Sequence, residues 1–555
     1  MLRALFRILR TVKKGAITLL IVLTLAILWA ATLNKPSQHL FPDYGLPSTI
    51  RTLPQNWTPD IRQQVAHTSF GSHILPLQWL LHLEHPTLPN LINDPDYLST
   101  LGFIPQQHSI NNPYALPIGF SVTDHKNEQW AGLTCAACHT ALVSYKGQKI
   151  LIDGGSAQLN FAQFEQDILA AITHTLDQPA RLARFADALH SDETPLKVAL
   201  EHYQQSLERR LTLNATSTPY GHGRLDALGI IFNTIAAEAL NMPANAHSPD
   251  GPVSIPTLWD ASHHDLVQWN GSAPNQEPGP LAQNIPTALA VYGSVNIDPD
   301  NIIGYRNSVN VKNLGYLQQQ YYKLTRPKWP SELLGAIDAR KAFLGKTLYR
   351  THCQDCHTII DPLAPKRKIK SVLVDIARIG TDPVMATNFV ERQVHSGQLQ
   401  GEKMGIVAGP PIAAQVSPIE LVMNATAGVI LNKPLSAITA VATEYASNFS
   451  APLAWTRKAY RARPLNGIWS SAPYLHNGSV PTLWDLLQPP ELRAQTFYVG
   501  NQELDLIKVG FQHHQNLNAS YFDTTLYGNS NSGHLFGTHL TEGEKWALIE
   551  YLKTL

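Results

Sequence analysis

The sequence predicts a mostly α-helical chain with long irregular loops, built as two units behind an N-terminal apolar helix. Three observations predict it. Apolar residues recur at helical spacing in several runs. Proline, which breaks helices and marks ordered loops, accounts for 39 of the 555 residues. All four cysteines fall into two copies of one motif, Cys135-Ala136-Ala137-Cys138-His139 and Cys353-Gln354-Asp355-Cys356-His357. A chain of this length exceeds what one hydrophobic core usually serves, and the two motifs are the natural seeds of two units.

Paired cysteines at this spacing serve zinc ribbons, thioredoxin-like redox pairs and disulfides as well as haem. A ribbon tolerates any residue after the second cysteine, and a thioredoxin pair wants a strand before it. Neither needs histidine there twice. Covalent haem does: each thiol adds to a vinyl group as a thioether, and the histidine becomes the proximal iron ligand. Cys135, Cys138 and His139 are therefore assigned to one c-type haem, and Cys353, Cys356 and His357 to a second, giving two cytochrome c-like haem domains.

Lysine plus arginine equals aspartate plus glutamate at 42 each. That balance excludes an electrostatic nucleic-acid binder, which needs a basic excess to displace counterions from phosphates. Charged residues make up only 15% of the chain, against an average of about 25%.

Along the chain, residues 1–14 carry Arg3, Arg7, Arg10, Lys13 and Lys14 with no acid, and an uncharged apolar run follows from Ala16 to Leu33. Basic residues stay on the cytoplasmic side and a run of this length just spans a bilayer. This is an export signal that delivers the remainder to the periplasm. No small-residue cleavage site is well formed around Trp29-Ala30-Ala31-Thr32, which favours an anchor in the inner membrane over a removed signal and a secreted product. Residues 1–35 are read as this signal or anchor, 36–330 as an N-terminal c-type haem domain with long inserts, and 331–555 as a C-terminal cytochrome c domain.

A proline-rich layer with short helical pieces such as Leu77 to Glu84 precedes the first motif. The Lys-Gly-Gln turn within Ser144 to Asp153 predicts a short hairpin. Phe164, Ile168, Leu169 and Ile172 share one face of a helix over Phe161 to Leu176, stopped before Pro179. Arg224 to Leu240 reads as a further core helix. Pro252 to Asn275 has no clean period, yet holds Trp259, His263, His264, Asp265 and Trp269. Such residues line haem pockets or relay electrons, and equally fill gaps or face solvent. Ala336 to His352 predicts a helix running into the second motif. Met404 and Met423 are soft side chains of the kind that ligate iron, though methionine more often simply packs. A last helix over Thr541 to Leu555 opens with a capping box, Thr541 and Glu544.

The paired motifs, the run APYLHNGSVPTL and the closing EKWALIEYLKTL resemble the bacterial di-haem cytochrome c peroxidase superfamily. The segments CAACHTALVSYKGQKILIDGG, GRLDALG, VQWNGSAPN, ARPLNGIWSSAPYLHNGSVPTL and GNSNSGH are most similar to its rubber-oxygenase-like branch. The resemblance implies a periplasmic oxidoreductase in which peroxide or dioxygen reacts at the first haem, on His139, while a second, six-coordinate haem on His357 stores an electron. It also implies a distal ligand to the second iron shortly before the last helix, for which His534 is favoured over His476. A calcium ion between the haems is a further implication, with Asn160, Ser471 and Pro473 as candidates. The sequence departs from the peroxidases at one place: no histidine stands between Gly147 and Gln163. This speaks against reductive activation of the peroxidase kind.

By the same analogy Trp269 or Trp259 relays electrons between the haems. Asp153 and Glu165 are candidate acid–base groups only through their closeness in sequence to the first motif. Three functions follow: a peroxidase-type redox enzyme served by a small periplasmic electron-donor protein, an oxygenase cleaving an apolar unsaturated substrate, or a membrane-anchored electron carrier that is not an enzyme.

Overall fold

The computed structural model describes residues 45–275, 279–361, 364, 367–443 and 455–555, so the anchor expected at residues 1–35 lies outside the described residues. Among the described residues no single helix is long and apolar enough to cross a membrane. The chain is predominantly helical with long loops, as the sequence predicts, and its strands are short and mostly paired in twos.

Helix α1 (Pro59–His67) starts where Thr58 accepts a hydrogen bond from the Ile61 N–H, with proline at the first position, where no N–H is needed. Strands β1 (Phe120–His125) and β2 (Glu128–Leu133) form a hairpin that leads into the one-turn helix α2 (Cys135–Cys138). The hairpin expected after the first motif is present but longer: β3 (Thr140–Tyr145) pairs with β4 (Gln148–Asp153), starting directly after His139. Its turn residues Lys146 and Gly147 both have positive φ, 50° and 79°, the backbone twist that a two-residue hairpin turn demands.

Helix α3 (Phe161–Asp177) buries Phe164, Ile168 and Ile172 as the spacing predicts, with Leu169 packed at the edge of the same core. The helix stops before Pro179, as expected, and Pro179 opens α4 (Pro179–Ala188) as its first residue, with α5 (Glu193–Leu213) closing this layer. The helix expected over Arg224 to Leu240 is shorter and composite. Arg224–Leu225 pair as a strand with Val253–Ser254. Asp226 then caps α6 (Ala227–Asn233), which continues as a π turn over Thr234–Ala239. Periodicity does not register the cap, because Arg224 and Leu225 extend the apolar-looking pattern while their backbone bonds go to the strand partner.

Helices α7 (Gly279–Ala290) and α8 (Val311–Lys323) follow, and α9 (Ala339–His352) runs into the second motif, its start set by the Asp338 cap rather than at Ala336. Strand β5 (Val372–Asp375) precedes α10 (Pro418–Asn432) and pairs with β6 (Ala459–Ala462). The last helix, α11 (Glu542–Leu552), carries the expected capping box of Thr541 and Glu544.

Three apolar clusters hold these elements together. The first joins Leu80, Phe120, Phe164, Ile168 and Leu200. The second joins Val143, Ile150, Trp259, Tyr349, Trp469 and Leu548, so the hairpin behind the first motif and the last helix share one core. The third gathers Phe232, Leu281, Leu314, Leu421 and Val429.

Candidate functional site

Thr134 positions the first motif. Its Oγ1 accepts from the Ala136 N–H at 3.2 Å and donates to the Ala66 carbonyl at 3.0 Å, capping α2 and fastening it to α1. Gly119, at φ 94°, lies so close that a Cβ there would be 2.3 Å from Ala137 Cα. Only glycine lets the hairpin approach the motif this way. At the end of α2 the His139 Nδ1 lies 2.9 Å from the Pro256 carbonyl. Nδ1 therefore carries the proton and the lone pair is left on Nε2, the arrangement of a metal-ligating histidine held by a backbone acceptor. Burial keeps this imidazole neutral, its pKa lowered to about 4. Cys135 and Cys138 form no disulfide, which leaves both sulfurs to bond a haem.

The second motif repeats this plan with different chain. Helix α9 delivers Cys353, and the Tyr349 hydroxyl donates to the His357 carbonyl at 2.6 Å. The His357 Nδ1 lies 2.7 Å from the Arg463 carbonyl, so here too Nε2 is left as the ligand atom. Opposite stands His534, its ring centre 6.3 Å from that of His357 and the planes 47° apart. Two metal–nitrogen bonds of about 2 Å each, plus the two ring radii, account for a separation of this size. His534 has a left-handed backbone, φ 48°, held by its N–H donating to the Ile379 carbonyl at 2.9 Å. Its Nδ1 is buried and has no hydrogen-bond partner. Burial, then the nearby His357, lowers its pKa to about 3. A neutral, unpartnered imidazole facing a second neutral imidazole is a donor set that suits iron.

The two sites are linked. Pro256, which receives the His139 proton, is followed by Thr257, whose Oγ1 accepts from Arg463 Nη1 at 3.2 Å. The carbonyl of the same Arg463 receives the His357 proton. A continuous path of covalent and hydrogen bonds thus joins the two proximal histidines. Trp269 lies along it: the Arg463 guanidinium sits 4.8 Å from its ring centre, and its Nε1 donates to the Ser254 carbonyl at 2.9 Å. Trp259 is elsewhere, fully buried in the second core with Nε1 on the Asn466 carbonyl.

The remaining candidates have other surroundings. Both Asp153 oxygens are held by Arg62, at 2.7 to 3.0 Å, in a buried ion pair that ties α1 to β4. Burial raises the Asp153 carboxyl and the guanidinium opposes it. Glu165 accepts from the Tyr292 hydroxyl at 2.7 Å and lies 3.5 Å from Arg210. Tyr292 packs edge-on against Phe161, and both rings border the first core. His476 stacks on Tyr460 with ring centres 3.8 Å apart, its Nε2 buried without a partner. Asn160 caps α3 through the Gln163 N–H, Ser471 donates to the Gly467 carbonyl, and Pro473 follows a cis bond. Met404 packs on the third core and Met423 is 37% exposed. His263 and His264 fasten the irregular stretch to α8 and to the segment before β5: His263 meets the carbonyls of Tyr322 and Arg367, and His264 is bridged to Ile369.

Sequence reasoning missed Pro256, Thr257, Arg461 and Arg463. Two act through backbone carbonyls, which any residue carries. The arginines stood in plain view in the run RARPLNG, but nothing in it shows that they are buried.

A family model described as RoxA-like, cytochrome c-like matches residues 459–498, the stretch that begins with β6 and contains both arginines. Two relatives come from Sinorhizobium fredii. The uncharacterized protein y4iJ is 32% identical, with 93% of this chain and 94% of its own length covered. The uncharacterized protein y4iM is 25% identical, with 62% of this chain and 74% of its own length covered.

Proposed function

We propose that this chain, which belongs to the family of the y4iJ protein, is a di-haem c-type oxidoreductase that uses dioxygen at its first haem to cleave an apolar, unsaturated substrate. Its second haem is the electron store. The observation that carries this reading is the asymmetry of two otherwise matched centres. His357 has His534 opposite it, whereas among the described residues no second ring stands opposite His139.

Bound haem supplies an iron that exchanges single electrons and, where one face is free, takes up dioxygen or peroxide. The chain's own residues decide which centre does which. His139, Cys135 and Cys138 hold the reactive centre, with the Pro256 carbonyl fixing the tautomer and ring orientation of His139. His357 and His534 would hold the other, leaving it to store an electron. Trp269 and the Thr257–Arg463 contact lie on the path between the proximal ligands and are its electron relay. Glu165 accepts a hydrogen bond from Tyr292 and is engaged by Arg210; Asp153, with both oxygens on Arg62, drops out of the chemistry and secures the hairpin.

The match of residues 459–498 to a RoxA-like family supports dioxygen over peroxide, as does the stretch from Gly147 to Gln163 without a histidine. Cleavage of a carbon–carbon double bond by dioxygen leaves two carbonyl groups and balances without an added reductant. The basic flank and apolar run at residues 3–33 support a periplasmic location on an inner-membrane anchor.

The test is product analysis on the two-haem protein with an apolar polyene under labelled dioxygen. Carbonyl products carrying the label are expected. Turnover of peroxide with a reduced small cytochrome, and none of the polyene, makes it a peroxidase. Two low-spin irons inert to both oxidants make it an electron carrier.

A further inference from the structure

Arg461 and Arg463 stand two residues apart where β6 ends, and neither has a carboxylate within ion-pair distance among the described residues. Arg461 is 9% exposed, its Nε donates only to the Gln268 carbonyl at 3.2 Å, and its Nη1 is buried with no partner. Arg463 has Thr257 Oγ1 and the Trp269 ring face as its neighbours. The two guanidiniums repel each other, and His264, buried between the units, feels both. The acids of this region are otherwise engaged. Asp260 pairs with Arg367 at 3.0 Å and accepts from Asn466 at 2.8 Å, and Asp265 accepts from the Ser371 N–H at 2.8 Å. The acids whose charge reaches the pair, Asp265 for Arg461 and Asp260 for Arg463, thus lie beyond ion-pair distance, and two buried like charges without a close counter-ion are unfavourable, so the pair suits an anion with oxygen acceptors.

The position identifies which anion. The carbonyl of Arg463 receives the His357 proton, its side chain reaches Thr257 beside the His139 acceptor, and the Arg461 N–H donates to the Trp269 carbonyl at 2.7 Å. Among the described residues no other pair of arginines touches the supports of both these histidines. We propose that Arg461 and Arg463 form a carboxylate-binding cradle for haem propionates at the junction of the two centres. This rests on the two-haem reading. The fork geometry of guanidinium matches a carboxylate in bidentate fashion, and one cradle serving both centres couples their charges.

The experiment uses the full chain matured with haem and counts covalent haem first, by the pyridine haemochrome assay. Fewer than two haems in the unaltered protein refutes the haem reading itself. With two bound, Arg461→Gln and Arg463→Gln are compared with the unaltered protein by potentiometric titration at several pH values and by the propionate bending band in resonance Raman. Removing a positive charge stabilises the ferric state, and a propionate left without its partner in a buried site takes up a proton more readily. The expected result is a lower reduction potential of at least one haem, a new pH dependence across the neutral range and a shifted propionate band, with the low-spin signal of the second haem kept. Where a glutamine variant does not fold, Arg461→Lys and Arg463→Lys keep the charge but lose the fork, and the band still shifts. Unchanged potentials and an unchanged band in folded two-haem variants overturn the proposal.

Discussion

On the proposed reading, His534 would set the spin state of the second centre. Its ring faces His357 at a distance that suits one iron, and its Nδ1 has nothing else to bind. His534→Ala is expected to turn the second haem from six-coordinate low-spin to high-spin in optical and electron paramagnetic resonance spectra, while His476→Ala leaves it low-spin. His476 has a different consequence. Burial, then Arg224, lowers its pKa from 6.5 to about 3. Above pH 6.5 it is neutral in folded and unfolded chains alike and has no effect. As pH falls from 6.5 toward 3 the unfolded chain takes up a proton that the folded one refuses, and stability drops by up to about 1.4 kcal/mol per pH unit. Denaturant midpoints measured against pH should fall less steeply in this window for His476→Gln; parallel curves would show that the group is not buried neutral. Much at this scale was legible. The histidine after each cysteine pair declares its role by type and position, whereas His534 was singled out only through the family resemblance, and the structure sets its ring facing His357. Pro256 does not declare itself, because a carbonyl acceptor has no signature in the side chain.

Among the elements, α9 and α11 cross most closely. A Cβ on Gly345 would lie 2.0 Å from the Ala547 carbonyl oxygen and 2.8 Å from Tyr551 Cβ, and Tyr349 and Tyr551 pack at 5.3 Å beside that point. Alanine in place of glycine gains about 1 kcal/mol of helix propensity. The clash with a backbone carbonyl outweighs it, so Gly345→Ala should destabilise the second haem unit by about 3 kcal/mol. Thr541→Ala removes one half of the capping box and should cost about 1 kcal/mol, read in the same chemical unfolding experiment. The capping box was visible in sequence, because its two residues have a fixed spacing. The crossing was not: Gly345 looks like a weak point in an exposed helix until the partner backbone is placed against it. For the same reason the helix expected at Arg224 gave way to a strand, whose partner lies beyond any local window.

In the whole molecule the long spacer between the motifs reads as more chain than one haem needs. Its use emerges only in three dimensions. The stretch from Pro252 to Asn275 supplies Pro256 to the first centre and Trp269 to the junction, and its histidines fasten it to α8 and to the segment before β5. An irregular segment without period carries no sign of what it will touch. Trp269→Phe should slow electron exchange between the haems severalfold after flash reduction of one of them, with both spin states unchanged; an unaltered rate would move the path away from this ring. Asn466, by contrast, supports Trp259 from the core, and Trp259→Phe should lower stability without a matching effect on exchange.

The tie between the first hairpin and the far end of the chain has a consequence for biogenesis. Ser144 and the Lys146 N–H both bond to the Glu503 carboxylate, and Val143 shares a core with Trp469 and Leu548. A ribosome makes the chain from its N-terminus, so Cys135 and Cys138 emerge long before the residues that close over their hairpin exist. The hairpin that follows the first thiols is completed only when the segment around Trp469, Glu503 and Leu548 packs on it, so the support of the first motif depends on the far end of the chain.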